Sequence, residues 1–114
     1  MRYNHLREML DAGKPTLGTR LHIAWPTVIE LVGQTGFFDY VEILAEYAPY
    51  DLWSLENQGR ALDLFPHMSG LIKIEQESRL HLAVRAMSSG IQNLLFTDIR
   101  SVAEPGGLRL RKAP

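Results

Sequence analysis

Apolar and polar positions alternate along this chain in two rhythms that take turns. In "NHLREMLDAG", Leu6, Met9 and Leu10 share a helical face, Asn4 stands where a cap belongs, and Gly13 before Pro15 ends the turn. "TLGTRLHIAW" switches to the period of a strand, with Leu17, Thr19, Leu21 and Ile23 set against Gly18, Arg20 and His22. Pro26 suits the first turn of a second helix, "PTVIELVGQTG", which carries Val28, Ile29, Leu31 and Val32 and stops at Gly36. Tyr40 to Glu46 reads as a second strand. Asp51 then caps "LWSLENQGRALDLF", whose apolar stripe is Leu52, Leu55, Leu62 and Phe65. "PHMSG" reads as a loop and "LIKIEQ" as a third strand. Ser78 caps "RLHLAVRAMSS", where Leu80, Val84 and Met87 fall on one face and Gly90 terminates. "NLLFTDI" is a fourth strand, and Ser101 opens a further helical start, "SVAE".

Strand then helix, three times over with a fourth strand behind, is the grammar of parallel α/β folds. In such folds the reactive groups sit just past the C-terminal ends of the strands. That rule singles out Glu46 and Tyr47 after the second strand, Lys73 and Glu75 near the end of the third, and Asp98 near the fourth. Arg20 and His22 at the end of the first strand are secondary candidates. The plainer alternative for Glu46 and Tyr47 is a polar strand terminus before a proline turn, a joint that every such fold needs. Lys73 inside an apolar strand must line a cleft, pair with an acid such as Glu75, or lie on an exposed edge. Trp25, Tyr50 and Trp53 fall near helix starts, where aromatics cover a helix end or meet a neighbouring subunit more often than they wall a pocket.

Composition narrows the field. The 114 residues, 46% of them hydrophobic, fit one ordinary domain or a piece of a larger one. A net charge of −1 with interspersed signs argues against a nucleic-acid or anionic-membrane surface. The absence of cysteine excludes disulfides, thiolate chemistry and Cys-based zinc sites, and the four histidines show no metal-ligand spacing. No apolar run approaches a bilayer span and the N-terminus lacks a secretory pattern, so the cytoplasm is the default address. No glycine-rich phosphate loop follows any strand, which disfavours a nucleotide-binding domain.

The ordered series "NHLREMLDAGKPTLGTRL", "ELVGQTGFFDYVEI", "EYAPYDL", "LIKIEQES" and "AVRAMSSGIQNLLFTDIRSVAE" resembles the HpcH/HpaI aldolases. These are metal-dependent aldolases and lyases of 2-oxo acids on a (β/α)8 barrel. The resemblance runs over most of this chain but less than half of a barrel of ~250 residues. It implies an N-terminal capping helix and roughly the first half of the barrel over residues 1–104. Residues 105–114, "PGGLRLRKAP", break the pattern and read as a mobile tail, an appended end or an out-of-frame extension of a truncated gene.

By this resemblance Glu46 keeps the family's glutamate, while Leu44 stands at its aspartate and Tyr47 at its histidine acid/base. Tyrosine, with an ordinary pKa of about 10, is a poor base at neutral pH. Lys73 replaces a substrate-binding arginine, keeping the charge without the two-pronged fork. The implied roles are Glu46 and Tyr47 in catalysis and Lys73 and Arg20 on the substrate. The implied cofactor is Mg²⁺ or Mn²⁺, held by residues of strands five and six that are not present here. The implied reaction is C–C cleavage of a hydroxy-oxo acid releasing pyruvate or a relative, by a homo-oligomer, with this chain inactive alone. The competing expectation is a non-catalytic half-barrel acting as an assembly module.

Overall fold

A computed structural model describes residues 3–45, 51–75, 79–97 and 99–102. Its elements run α1 (His5–Asp11), β1 (Gly18–Leu21), α2 (Pro26–Thr35), β2 (Tyr40–Leu44), α3 (Leu52–Asp63), β3 (Ser69–Ile74), α4 (Arg79–Ser89) and β4 (Asn93–Phe96). The strands form one sheet in the order β1-β2-β3-β4, every pair parallel. The expected alternation of parallel strands and helices is therefore what the chain builds. Consecutive strands lie side by side and α2, α3 and α4 pack in succession along one face. A doubly wound sheet would reverse its strand order and carry helices on both faces.

The termini of the helices follow from their residues. The Asn4 side chain accepts a hydrogen bond from the Arg7 amide, and Asp51 accepts one from the Ser54 amide at 2.7 Å. Pro26 opens α2 where a missing N–H costs nothing, and Gly36 closes it in the left-handed region at φ 73°.

The core lies between the sheet and the three helices. Val41, Ile43 and Ala45 of the second strand and its end, with Ile72 and Ile74 of β3, meet Ile29, Leu55, Ala61, Leu62, Leu82, Ala83, Ala86 and Ile91. The stripe expected on α4 is a different one. Leu80 and Val84 are exposed, and Leu82, Ala83 and Ala86 face inward. Two alanines there let α4 approach the sheet and α3 closely, which the bulkier Leu80–Val84–Met87 face does not allow. Leu52 and Leu31 are likewise exposed, while Leu55 and Leu62 are fully buried. β3 starts inside the segment expected to be a loop, because Ser69 and Gly70 pair with Tyr40 and Val41 and Met68 is wholly buried. β1 and β4 are shorter than the alternation predicts. Ser101 and Val102 form a bend and a turn rather than a helix, and Ser78 and residues 103–114 lie outside the described part.

At the N-terminal end of the sheet α1 is tied on by polar bonds. The Leu6 amide donates to Ser69 Oγ, Asn4 Nδ2 donates to Asn93 Oδ1, and Asn93 Nδ2 donates to the Gly70 carbonyl. His5 Nε2 lies 2.7 Å from Asp39 Oδ1, and the Leu17 amide donates to Asp39 Oδ2. The Leu17 amide and then His5 hold the Asp39 carboxyl below its ordinary pKa. α3 and α4 touch at Gly59, where a Cβ would stand 1.8 Å from the Ser89 carbonyl oxygen.

Two outcomes follow. Gly59→Ala gains helix propensity but collides with backbone, so its unfolding free energy in urea should drop by about 2–3 kcal/mol; an unchanged midpoint would contradict the close contact. For Asp39, a folded pKa below the unfolded value means stability present above the ordinary value of 3.8 and lost as pH falls below it. Urea midpoints below about pH 4 should therefore fall more steeply for the parent chain than for Asp39→Asn.

Candidate functional site

Register along parallel strands puts paired residues on one face of the sheet. Opposite the helices, one row runs Arg20, Glu42, Leu71, Asn93 and the next runs Leu44, Lys73, Leu95. Arg20 and Lys73, taken from the sequence as substrate-side candidates, thus share this inner face, Lys73 lying one row nearer the strands' C-terminal ends. Lys73 is half-buried on a central strand between Leu44 and Leu95, which removes the exposed-edge explanation of it. His22 is exposed just past β1, and Glu75 is half-buried just past β3. Glu46, Tyr47, Tyr50 and Asp98 lie outside the described residues.

The residue that sequence reasoning passed over is Glu42. It sits in the middle of the apolar run "YVEIL", almost wholly buried, and its carboxylate accepts a hydrogen bond from Arg20 Nε on the neighbouring strand. The Arg20 side chain remains 55% exposed while that of Glu42 is 10% exposed. A buried carboxylate inside a strand needs a partner, and that need was the available signal. Arg20 is therefore a paired cation whose side chain is still more than half exposed. Nearer the base of this face the Tyr40 ring occupies the space left by the missing side chain of Gly18.

At the far end, Thr97 Oγ1 donates to the Ile74 carbonyl at 2.8 Å and fixes β4 against β3 beside Glu75. Gln58 of α3 is completely buried, and its Nε2 donates to the Ile23 carbonyl at 3.4 Å, holding the segment after β1. Trp25 and Trp53 stand exposed at the starts of α2 and α3. Trp53 lines a groove of about 300 Å³ with Leu52, Glu56, Arg85 and Ser89, on the helical side and away from the inner face. The described residues contain no group of three His, Asp or Glu side chains able to share a metal, and Glu42 is committed to Arg20. The divalent metal implied by the resemblance does not fit among them.

No protein-family model matches the chain. It is 30% identical over 105 residues to a hydroxypyruvate/pyruvate aldolase of Pseudomonas aeruginosa, a match covering 92% of this chain and 38% of that protein. Over its own length the chain is similar to the N-terminal part of the HpcH/HpaI aldolases. Among solved structures, an HpcH/HpaI aldolase/citrate lyase family protein of Burkholderia cenocepacia is 26% identical, with TM-score 0.74 over 86% of this chain and 38% of the other. An HpcH/HpaI aldolase of Desulfitobacterium hafniense superposes over 100% of this chain and 43% of its own, with TM-score 0.81 at 22% identity. The four parallel βα units are thus part of a TIM-barrel aldolase fold, and the chain spans about two-fifths of the length of these HpcH/HpaI relatives. No helix among the described residues is long and apolar enough to cross a membrane.

The Arg20–Glu42 pair can be tested by a double-mutant cycle in urea. Arg20→Leu strands a buried carboxylate and should cost about 1–2 kcal/mol, and adding Glu42→Leu should restore most of that loss. Strict additivity of the two changes would dissolve the pair.

Proposed function

We propose that this chain supplies the substrate-side cations of a 2-oxo acid aldolase barrel, in which a hydroxy-oxo acid is cleaved at a C–C bond to release pyruvate or a close relative. The observation that carries the reading is the 30% identity to a hydroxypyruvate/pyruvate aldolase, extending over nearly all of this chain. The shared inner face of Arg20 and Lys73 supports it, because a 2-oxo acid presents a carboxylate and an oxo oxygen that both seek positive charge. Lys73 acts as a point charge for the carboxylate. Arg20, held in one orientation by Glu42, offers its free N–H groups to the same anion. Glu46 would orient water and Tyr47 would serve as hydrogen-bond donor or proton relay at the end of β2. Leu44 and Tyr47, where the family resemblance implies aspartate and histidine, favour an altered substrate or reaction. Bond cleavage in this reading needs strands beyond these four, as well as the metal that the described residues do not accommodate.

A second reading, a non-catalytic half-barrel that serves in assembly, is favoured by β1 and β4, each of which pairs with a strand on one side only among the described residues. Self-association is common to both readings. Calorimetric titration of the 114-residue chain with pyruvate, with and without Mn²⁺, separates them. The aldolase reading expects saturable binding that Lys73→Met weakens about tenfold, equivalent to about 1.4 kcal/mol. Absence of pyruvate binding under both conditions would leave the assembly reading and retire Lys73 as a substrate ligand.

A further inference from the structure

Among the described residues, most polar side chains of the inner face and its far end are already partnered. Glu42 accepts from Arg20, Asn93 is bound to Asn4 and to the Gly70 carbonyl, and Thr97 Oγ1 donates to the Ile74 carbonyl. Glu75 differs. It is half-buried and makes no hydrogen bond or ion pair with another described residue. Its place follows from the strand before it. Leu71 and Lys73 stand on the inner face, and residues two apart along a strand share a face. The alternation runs on past Ile74. The Thr97 amide and hydroxyl both donate to the Ile74 carbonyl, at 3.3 and 2.8 Å, which keeps the peptide leading into Glu75 in the plane of the sheet. A carboxylate thus follows Lys73 on the same strand, its Cα about 7 Å further on, at the end of the sheet where barrel enzymes gather their reactive groups.

We propose that Glu75 is the base that moves the proton in 2-oxo acid chemistry on this face. The inference rests on the aldolase reading and adds to it the residue that meets the reacting carbon. With the carboxylate and oxo oxygen of the acid drawn to Arg20 and Lys73, C3 extends toward the C-terminal ends of the strands and Glu75. In cleavage, the Glu75 carboxylate takes the C4 hydroxyl proton. The O–H pair left on that oxygen becomes the carbonyl bond of the departing aldehyde. The C3–C4 pair becomes the C2–C3 double bond of an enolate, whose oxygen lies beside the Lys73 ammonium. Glu75 then gives the proton to C3, which releases the 2-oxo acid and restores the carboxylate. No other reactant is consumed. Leu44 and Leu95, the cross-strand neighbours of Lys73, offer no competing acceptor. His22, a second base at this end, lies past β1, two strands and about 10 Å to the side.

The step at C3 also runs in reverse on pyruvate alone, where it exchanges the methyl protons for deuterium. The 114-residue chain is mixed with pyruvate in D₂O at neutral pH, exchange is followed by proton NMR and binding by calorimetry. The parent chain should exchange the methyl protons faster than buffer does. Glu75→Gln should slow that exchange about a hundredfold, or to the rate of buffer, with pyruvate affinity retained. Where Glu75→Gln does not fold, Glu75→Ala takes its place with the same expected outcome. Pyruvate that binds the parent chain without exchanging overturns the inference and leaves the aldolase reading standing. So does a folded Glu75→Gln chain that exchanges like the parent, or one that loses exchange only because it no longer binds pyruvate. Absence of pyruvate binding to the parent chain removes the aldolase reading and this inference together.

Discussion

Asp39 holds four parts of this chain at one point. Its backbone N–H donates to the Leu17 carbonyl and its own carbonyl accepts from the Ser69 amide, while its carboxylate takes the Leu17 amide and His5. The starts of β1, β2 and β3 and the capping helix α1 are thereby set against each other. Side chains alternate across a sheet, so a slip of one residue in any of these pairings would exchange the inner and outer faces. Arg20 opposite Glu42, and Lys73 opposite Leu44, are consequences of that setting. The charge on Asp39 is itself sustained by donors that exist only when the strands are in this register.

With register fixed, the two faces take different burdens. The helical face is apolar, with alanines and Gly59 admitting close backbone approach. The inner face mixes Arg20, Glu42, Lys73 and Asn93 with leucines. An apolar face against helices gives stability by area removed from water, whereas a face that receives an anion needs cations that are already oriented. In the proposed reading Glu42 belongs to the second purpose, its bond limiting the positions open to the Arg20 guanidinium. In that reading, the exposed half of Arg20 and the half-buried Lys73 are the parts of this face that meet the ligand.

Much of this architecture was legible from residue order. Caps at Asn4 and Asp51, the proline start of α2 and the glycine stop at Gly36 act through neighbours within a turn, so local pattern finds them. The face of α4 was not legible, because Leu80, Val84 and Met87 satisfy a helical period as well as Leu82, Ala83 and Ala86 do. Which set turns inward depends on how closely α3 and the sheet can approach, a fact about other parts of the chain. The early start of β3 at Ser69 was hidden for a similar reason, since its polar residues are satisfied by Asp39 and Leu6 from distant positions. On the inner face, Lys73 announced itself as a charge in an apolar strand. Glu42 carried the same signal and was missed because its partner lies on another strand, 22 positions away. Glu46 and Tyr47, the residues weighted most heavily from sequence, fall outside the described part of the structure.

Most packing here joins each strand to the next strand and each helix to the next helix. The bonds at the base do not: Ser69 reaches back 65 positions to Asn4, and Asn4 meets Asn93 across 89. Closing so long a loop costs chain entropy before the bond returns anything, so these contacts are expected to join after the βα units have stacked. Interactions absent from the folding transition state lengthen the life of the folded form without hastening its arrival. By this argument the asparagine pair under the sheet is expected to set how long the four strands stay together more than how quickly they find one another.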